Sequence, residues 1–392
     1  MFEVAGRVSI AIYINDVELM FDRSNVLDFL QISSSTQLSL PMVHFVYRDA
    51  GEWLIRNGLI AEGARIKVSI AKSGQPNRSF DFILNSYTET RQTEQLVYSI
   101  DGYLAYPKYW NESTSTQFEG TATAAIENIA DICGLPSDRR TMDTTSDSQI
   151  WMPRNQRYHA WAREISSHGY TSGTGCMKMA IDTDGSLTYK DVARKRTAVH
   201  KFGLATIDPN MILVTSYEPH ANSGVLNTFT GYQNLHIEQL PLSTDPFRNH
   251  QRLDVNNATK GSLAMSGAVR SVVNRGRVVI GPISAGNEGE HYRRGQYQNQ
   301  RMSNLFSVGI NVLTPFVTDV KLLDTVDFVA PTTQTYLETY STAYVVSAKN
   351  IIVNGIDYLE RFELLSYATG FSNKDTTGGD DGELSYPSNF DA

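Results

Sequence analysis

A helical, turn-rich island from Trp110 to Val192 interrupts a sequence that otherwise alternates in the two-residue period of β-strands. That interruption limits the folds open to the chain. Within the island, Ile126, Ile129, Ala130 and Cys133 fall at i, i+3, i+4 and i+7, which predicts a helix over 123–134. Thr121 or Thr123 can cap its start, and Gly134 with Pro136 ends it. A second helix is expected after Pro153, with Asn155 as its N-cap, Tyr158, Trp161, Ala162 and Ile165 on its apolar face, and Gly169 as its stop. Met177–Ile181 and Leu187–Lys190 around Asp184-Gly185 read as a hairpin, so the island is a small α+β module.

On the N-terminal side, Val8, Ile10, Ile12 and Ile14 alternate up to Asn15-Asp16, the signature of a hairpin turn. Val26–Gln31 is a weaker strand. Gln37–Tyr47 is a stronger one, in which Pro41 points to an edge or a bulge. A short helix or turn is expected over Glu52–Leu59. Strands follow at Arg65–Ala71, Ser79–Leu84 and Gln95–Leu104, enough for a closed barrel or sandwich. After the island comes a basic stretch from Lys190 to Lys201, read as a solvated connection. Strand patterns then resume at 213–217, 227–231, 235–240, 271–280, 308–313, 321–329, 343–348, 350–354 and 358–365. Residues 289–307 have helical spacing through Tyr297, Arg301 and Leu305, and the segment past Thr369 is Gly-, Ser- and acid-rich, the composition of a disordered tail. Glu62–Leu84 and Leu323–Leu365 share a layout of turn, strand and hairpin, which leads us to expect a duplicated barrel. The expected domains are a first barrel at 1–109, an inserted module at 110–200, a second barrel from 201–240 plus 308–370, an excursion at 241–307 and a tail at 371–392.

Composition narrows function by exclusion. Twenty Tyr and sixteen Phe favour strands. Cys133 and Cys176 lack zinc-site spacing, and Cys133 reads as a small buried hydrophobe. The first residues lack the basic and apolar regions of a signal peptide, and no run reaches about 18 apolar residues, so a reducing cytosol is the expected setting. A net charge of −8 opposes general nucleic-acid binding by a basic surface, yet suits a conduit through which DNA passes without adsorbing. Asp182-Thr-Asp-Gly opens like a calcium loop, but Leu187 stands where that loop needs glycine. Gly173-Thr-Gly-Cys-Met-Lys lacks P-loop spacing, and no nucleophile elbow or His-Glu-x-x-His helix occurs. The eight histidines show no ligand spacing, and no carboxylate pair stands out among the 42 acids. No catalytic, cofactor or metal residue is assigned, and the chain is expected not to be an enzyme.

The order of parts carries a resemblance. Leu38-Ser-Leu-Pro precedes Ile60-Ala-Glu-Gly-Ala-Arg-Ile-Lys-Val-Ser-Ile, and Ser99-Ile-Asp-Gly-Tyr-Leu closes the first strand set. Phe118-Glu-Gly-Thr-Ala-Thr-Ala-Ala-Ile-Glu-Asn-Ile-Ala and Tyr158-His-Ala-Trp-Ala-Arg-Glu-Ile fill the module. The stretch from His291 to Phe306 leads into Val308-Gly-Ile-Asn-Val-Leu and a final Leu359-Glu-Arg-Phe-Glu-Leu-Leu. Over most of residues 7–369 this resembles the baseplate hub proteins of contractile-tailed bacteriophages and the related hub part of type VI secretion spikes. The resemblance implies two similar antiparallel β-barrels with an inserted α+β module. It further implies a homotrimeric ring of six barrels bound to a central spike protein, a tail tube or tube-initiator protein and a tape-measure protein, with DNA crossing the lumen and no membrane insertion. The expected place is the virion tail baseplate, assembled in the host cytoplasm. Tyr292, Arg293, Arg294, Tyr297 and Arg301 are the candidate interface anchors, being aromatic and Arg residues on one expected helix. Trp110, Trp151 and Trp161 are expected in the module's core. The rival class is a peptidoglycan-degrading or polysaccharide-binding tail protein, which calls for a lysozyme-like helical block that the sequence does not contain.

Overall fold

The computed structural model describes residues 2–4, 8–21, 25–72, 77–92, 95–171, 176–192, 194, 196–204, 211–221, 235–240, 251–254, 277–282, 308–329, 341, 343–354 and 357–366. The first strands are β1 (Phe2–Val4), β2 (Val8–Ile14) and β3 (Val17–Glu18). Asn15 and Asp16 join β2 to β3 with φ of 49° and 64°, the left-handed pair that a two-residue hairpin requires. There follow β4 (Val26–Ser35), β5 (Met42–Asp49), α1 (Trp53–Arg56), β6 (Arg65–Lys72), β7 (Arg78–Gln92) and β8 (Gln95–Leu104).

These strands pair antiparallel in the order β1-β2-β6-β7-β8-β5-β4. Alternate residues turn inward, so Ile10 and Ile12 of β2 share one core with Leu30 and Ile32 of β4, Phe45, Phe82 and Ile100. The sheet therefore rolls into a barrel. Among the described residues no ladder joins β2 to β4. Instead the segment after β3 crosses that side, with Tyr47 Oη donating to the Met20 carbonyl at 3.0 Å and the Phe21 ring edge-on to Tyr47. Pro41 is neither on an edge strand nor in a bulge. It stands just before β5, which is flanked by β4 and β8, and its carbonyl accepts from Leu104 N.

The module holds α2 (Pro107–Asn111), β9 (Ser113–Thr114), β10 (Phe118–Gly120), α3 (Ala122–Cys133), β11 (Arg140–Met142) and β12 (Gln149–Trp151). It continues with β13 (Gln156–Arg157), α4 (Tyr158–His168), β14 (Met177–Ile181) and β15 (Leu187–Asp191). Helix α3 forms as its spacing predicts. Thr121 Oγ1 accepts from Ala124 N, Gly134 takes φ 77°, and Ile126, Ile129, Ala130 and Cys133 are buried. In α4 the expected apolar face is buried, but the N-cap position belongs to Arg157. Asn155 lies two residues earlier at φ 53°, turning the chain into β13. Trp151 and Trp161 are buried, whereas Trp110 is half-buried and stacked between Tyr103 at 4.7 Å and His159 at 4.4 Å.

The last set comprises β16 (His200–Gly203), β17 (Met211–Leu213), β18 (Ser216–Ala221), β19 (Leu235–Leu240), β20 (Gln251–Asp254), β21 (Arg277–Pro282), β22 (Val308–Thr314), β23 (Thr325–Val329), β24 (Ala343–Asn354) and β25 (Asp357–Ser366). Strands β19, β20 and β21 form a separate sheet. The others pair in the order β17-β16-β23-β24-β25-β22-β18. Val214 N donates to Gly203 O on one side and Thr215 N to Leu313 O on the other. These two residues thus carry the chain from β16 across to β22 and close a second barrel. Phe202, Ile310, Val312, Phe328, Tyr344 and Phe362 fill it.

The two barrels repeat one plan. The order β2-β6-β7-β8-β5-β4 recurs as β16-β23-β24-β25-β22-β18, with the same sequence of visits by the chain. The long hairpins match residue for residue: Gln92 pairs with Gln95 where Asn354 pairs with Asp357, and bulges fall after Leu84 and after Val346. The turns before them match as well. Gly63 N donates to Leu84 O and Leu84 N to Ala64 O, just as Leu323 N donates to Val346 O and Val346 N to Asp324 O. Gly63 and Leu323 share a left-handed φ, 82° and 64°. One pairing departs from the plan, β2 being antiparallel to β6 and β16 parallel to β23.

Candidate assembly surfaces

The barrels are fastened to each other by a ladder between β24 and β4, from Ala348 opposite Ser35 to Asn354 opposite Phe29. Ile351 and Val353 of β24 lie in the first barrel's core. Polar groups complete this joint. Glu360 is fully buried, and its carboxylate accepts from Thr318 N at 3.2 Å, Thr318 Oγ1 at 2.6 Å and Tyr358 Oη at 2.7 Å. Arg78, from the start of β7, approaches it at 3.9 Å. Burial, reinforced by the Glu360 charge, holds the Tyr358 hydroxyl far above its ordinary titration range. Lys349 is buried too, with its ammonium donating to Val320 O at 3.0 Å.

The module is fastened to the second barrel through the turn that resembled a calcium loop. Asp182 Oδ2 accepts from Leu322 N at 3.0 Å, and Lys321 Nζ donates to Asp184 Oδ2 at 3.1 Å. Burial alone would raise the Asp184 pKa, but hydrogen bonds from Ser186 and Lys321 outweigh it and leave that carboxyl below its ordinary value. The basic stretch from Lys190 to Lys201 is more than a solvated connection. Lys190 lies 3.6 Å from Asp324, and Arg196 is paired with Asp143, each cation partly buried. Cys133 is buried, which pushes its thiol up to about 12 and removes it from thiolate chemistry at neutral pH.

The five anchors expected on the late helix, Tyr292, Arg293, Arg294, Tyr297 and Arg301, lie outside the described residues, as do the helix over 289–307, the strand at 227–231 and the tail. What the described residues offer instead are strand edges, among them the two at the ends of the antiparallel series from β7 to β18. From Ser86 onward β7 pairs with β8 alone, and residues Asn85 to Arg91 are all exposed. Strand β18 pairs with β22 alone, and Ser216, Glu218 and Pro219 are exposed. Sequence reading missed both because residues 85–91 have no apolar face and β18 sets little more than Tyr217 against the second core. The available signal was that absence: Tyr87-Thr-Glu-Thr-Arg continues a strand of β-forming residues beyond the apolar run Phe80–Leu84. Among the described residues no cluster of His, Cys, Asp or Glu is arranged to hold a metal ion, and no helix is long and apolar enough to cross a membrane.

No protein-family profile matches the sequence, and no curated protein is similar to it. Solved structures share the fold. A prophage MuSo2 43 kDa tail protein from Shewanella oneidensis superposes with a TM-score of 0.60 at 10% identity, over 92% of this chain and 98% of that one. A tail protein from Neisseria meningitidis MC58 gives 0.56 at 10% identity, over 93% and 98%. The likeness spans nearly the whole of both chains, so it covers the two barrels together with the module.

Proposed function

We propose that this chain is a structural protein of a phage-type tail and that it forms the central baseplate hub. Three copies would make a ring that joins the tail tube, or its initiator, to the central spike. The ring's lumen would receive the tape-measure protein and then pass DNA without specific binding. The observation that carries this reading is the barrel built twice on one plan, since three chains with two similar barrels each present six similar surfaces to a sixfold tube. The whole-length likeness to two tail proteins supports the same setting. The place is the virion's tail baseplate, assembled in the host cytoplasm, and the role is non-enzymatic.

The test is assembly. The purified chain is mixed with candidate spike and tube proteins, and the products are separated by size and imaged. A hub gives a complex in which this ring caps the spike at one face and meets the tube at the other. Failure to bind either protein, or release of peptidoglycan fragments abolished by a single carboxylate-to-amide change, would contradict the reading.

A further inference from the structure

The chain contains, within itself, one worked example of how such barrels join. Strand β24, the long hairpin strand of the second barrel, lies antiparallel along β4, the outermost strand of the first, over seven residue pairs. The first barrel has its own counterpart of β24, namely β7, which ends at an equivalent hairpin turn and is bulged at the equivalent place. The second barrel has its own counterpart of β4, namely β18, which flanks β22 as β4 flanks β5. Among the described strands, β7 beyond Ser86 and β18 each have a neighbour on one side only.

We infer that β7 of one copy pairs antiparallel with β18 of a second copy, in the register of the internal β24·β4 ladder. This rests on the ring reading above. Carrying Asn350 opposite Ser33 and Ile352 opposite Gln31 onto the equivalent positions puts Thr88 opposite His220, Glu89 opposite Pro219 and Thr90 opposite Glu218. The geometry allows it, because β7-β8-β5-β4-β24-β25-β22-β18 is a continuous antiparallel series within each chain. A chain ending in two complementary edges makes a head-to-tail contact, and such contacts add copies until rotation closes the ring.

The two kinds of seam differ in chemistry. Ile351 and Val353 make the internal seam apolar, whereas the equivalent β7 residues are Glu89 and Arg91. Pro219 also removes one N–H from β18, leaving the ladder between copies with fewer donors than the one within the chain. The seam between copies is therefore polar and separable, while the one inside the chain is permanent. Exposed strand edges invite indiscriminate pairing, and charges and proline on them weaken pairing with other strands.

Disulfide trapping tests the register. Two double variants, Thr88→Cys with His220→Cys and Thr90→Cys with Glu218→Cys, place thiols opposite each other, while Thr88→Cys with Ser216→Cys is four residues out of register. The native Cys133 and Cys176 are buried, so the background is low. Each variant is first shown, reduced, to melt with the parent and to have the parent's mass by light scattering. Mild oxidation should then give covalent dimers and trimers from both in-register pairs and at least several-fold less from the shifted pair. A multimer that cross-links from neither in-register pair overturns the edge pairing and leaves the ring reading standing. A monomer at every concentration overturns the ring reading and this pairing together.

Discussion

Leu323 and Gly63 occupy the same place in two copies of one turn, and the left-handed backbone there suits only the glycine. Leu323 is buried, so its packing offsets a conformational cost of about 1–2 kcal/mol. Leu323→Ala should lose the packing and keep the strain, whereas Leu323→Gly loses the packing and relieves the strain. We predict that in urea melts the Gly variant is more stable than the Ala variant by about 1 kcal/mol. An Ala variant equal to or better than Gly would show that the turn carries no strain. At the joint, Glu360→Gln sets an amide N–H₂ against the donors of Thr318 and Tyr358 and should cost about 1–3 kcal/mol by the same assay. His159, stacked on Trp110, has its pKa lowered chiefly by burial, so the folded state holds it neutral. The unfolded chain then binds the extra proton, and the stability present above about pH 6.5 is lost as pH falls through the lower folded pKa. His159→Phe keeps a ring in the stack and should flatten that part of the pH–stability curve. An unchanged slope would assign the pH dependence to other groups.

Among the elements, legibility followed how much of each residue's role was local. Helices α3 and α4 were readable because the 3.6-residue period and the Gly stops are short-range signals, and so was the Asn15-Asp16 hairpin. Strand β4 was harder, because Val-Leu-Asp-Phe-Leu-Gln-Ile-Ser-Ser-Ser does not alternate cleanly and its serines lie opposite β24, more than 300 residues away. Strand β24 read as two strands because the bulge after Val346 shifts the alternation by one residue. The turn at Leu323 was expected from the layout it shares with Glu62–Leu84, but its left-handed backbone was not, since nothing in a leucine announces one. The candidate surfaces were the least legible: a strand edge is a property of what does not pair with it. Because β24 belongs to both barrels, Ile351→Ala should cost about 2–5 kcal/mol and lower the melting of both together. Two separated transitions in a calorimetric scan, only one of them shifted, would show that the barrels fold independently.

On the scale of the whole molecule, the barrels sit side by side within the chain, and the proposed ring repeats that arrangement between chains. The acidic segment 371–392 has little apolar surface to bury, so its removal is predicted to leave the assembled mass short by the deleted residues alone. A fall to single chains after that deletion would make the tail part of the interface. The measurement that bears most directly on the ring is the solution mass of the intact chain by light scattering across a dilution series. The ring predicts a species of three times 43.7 kDa that gives way to single chains only on dilution. A mass of 43.7 kDa at every concentration would contradict it.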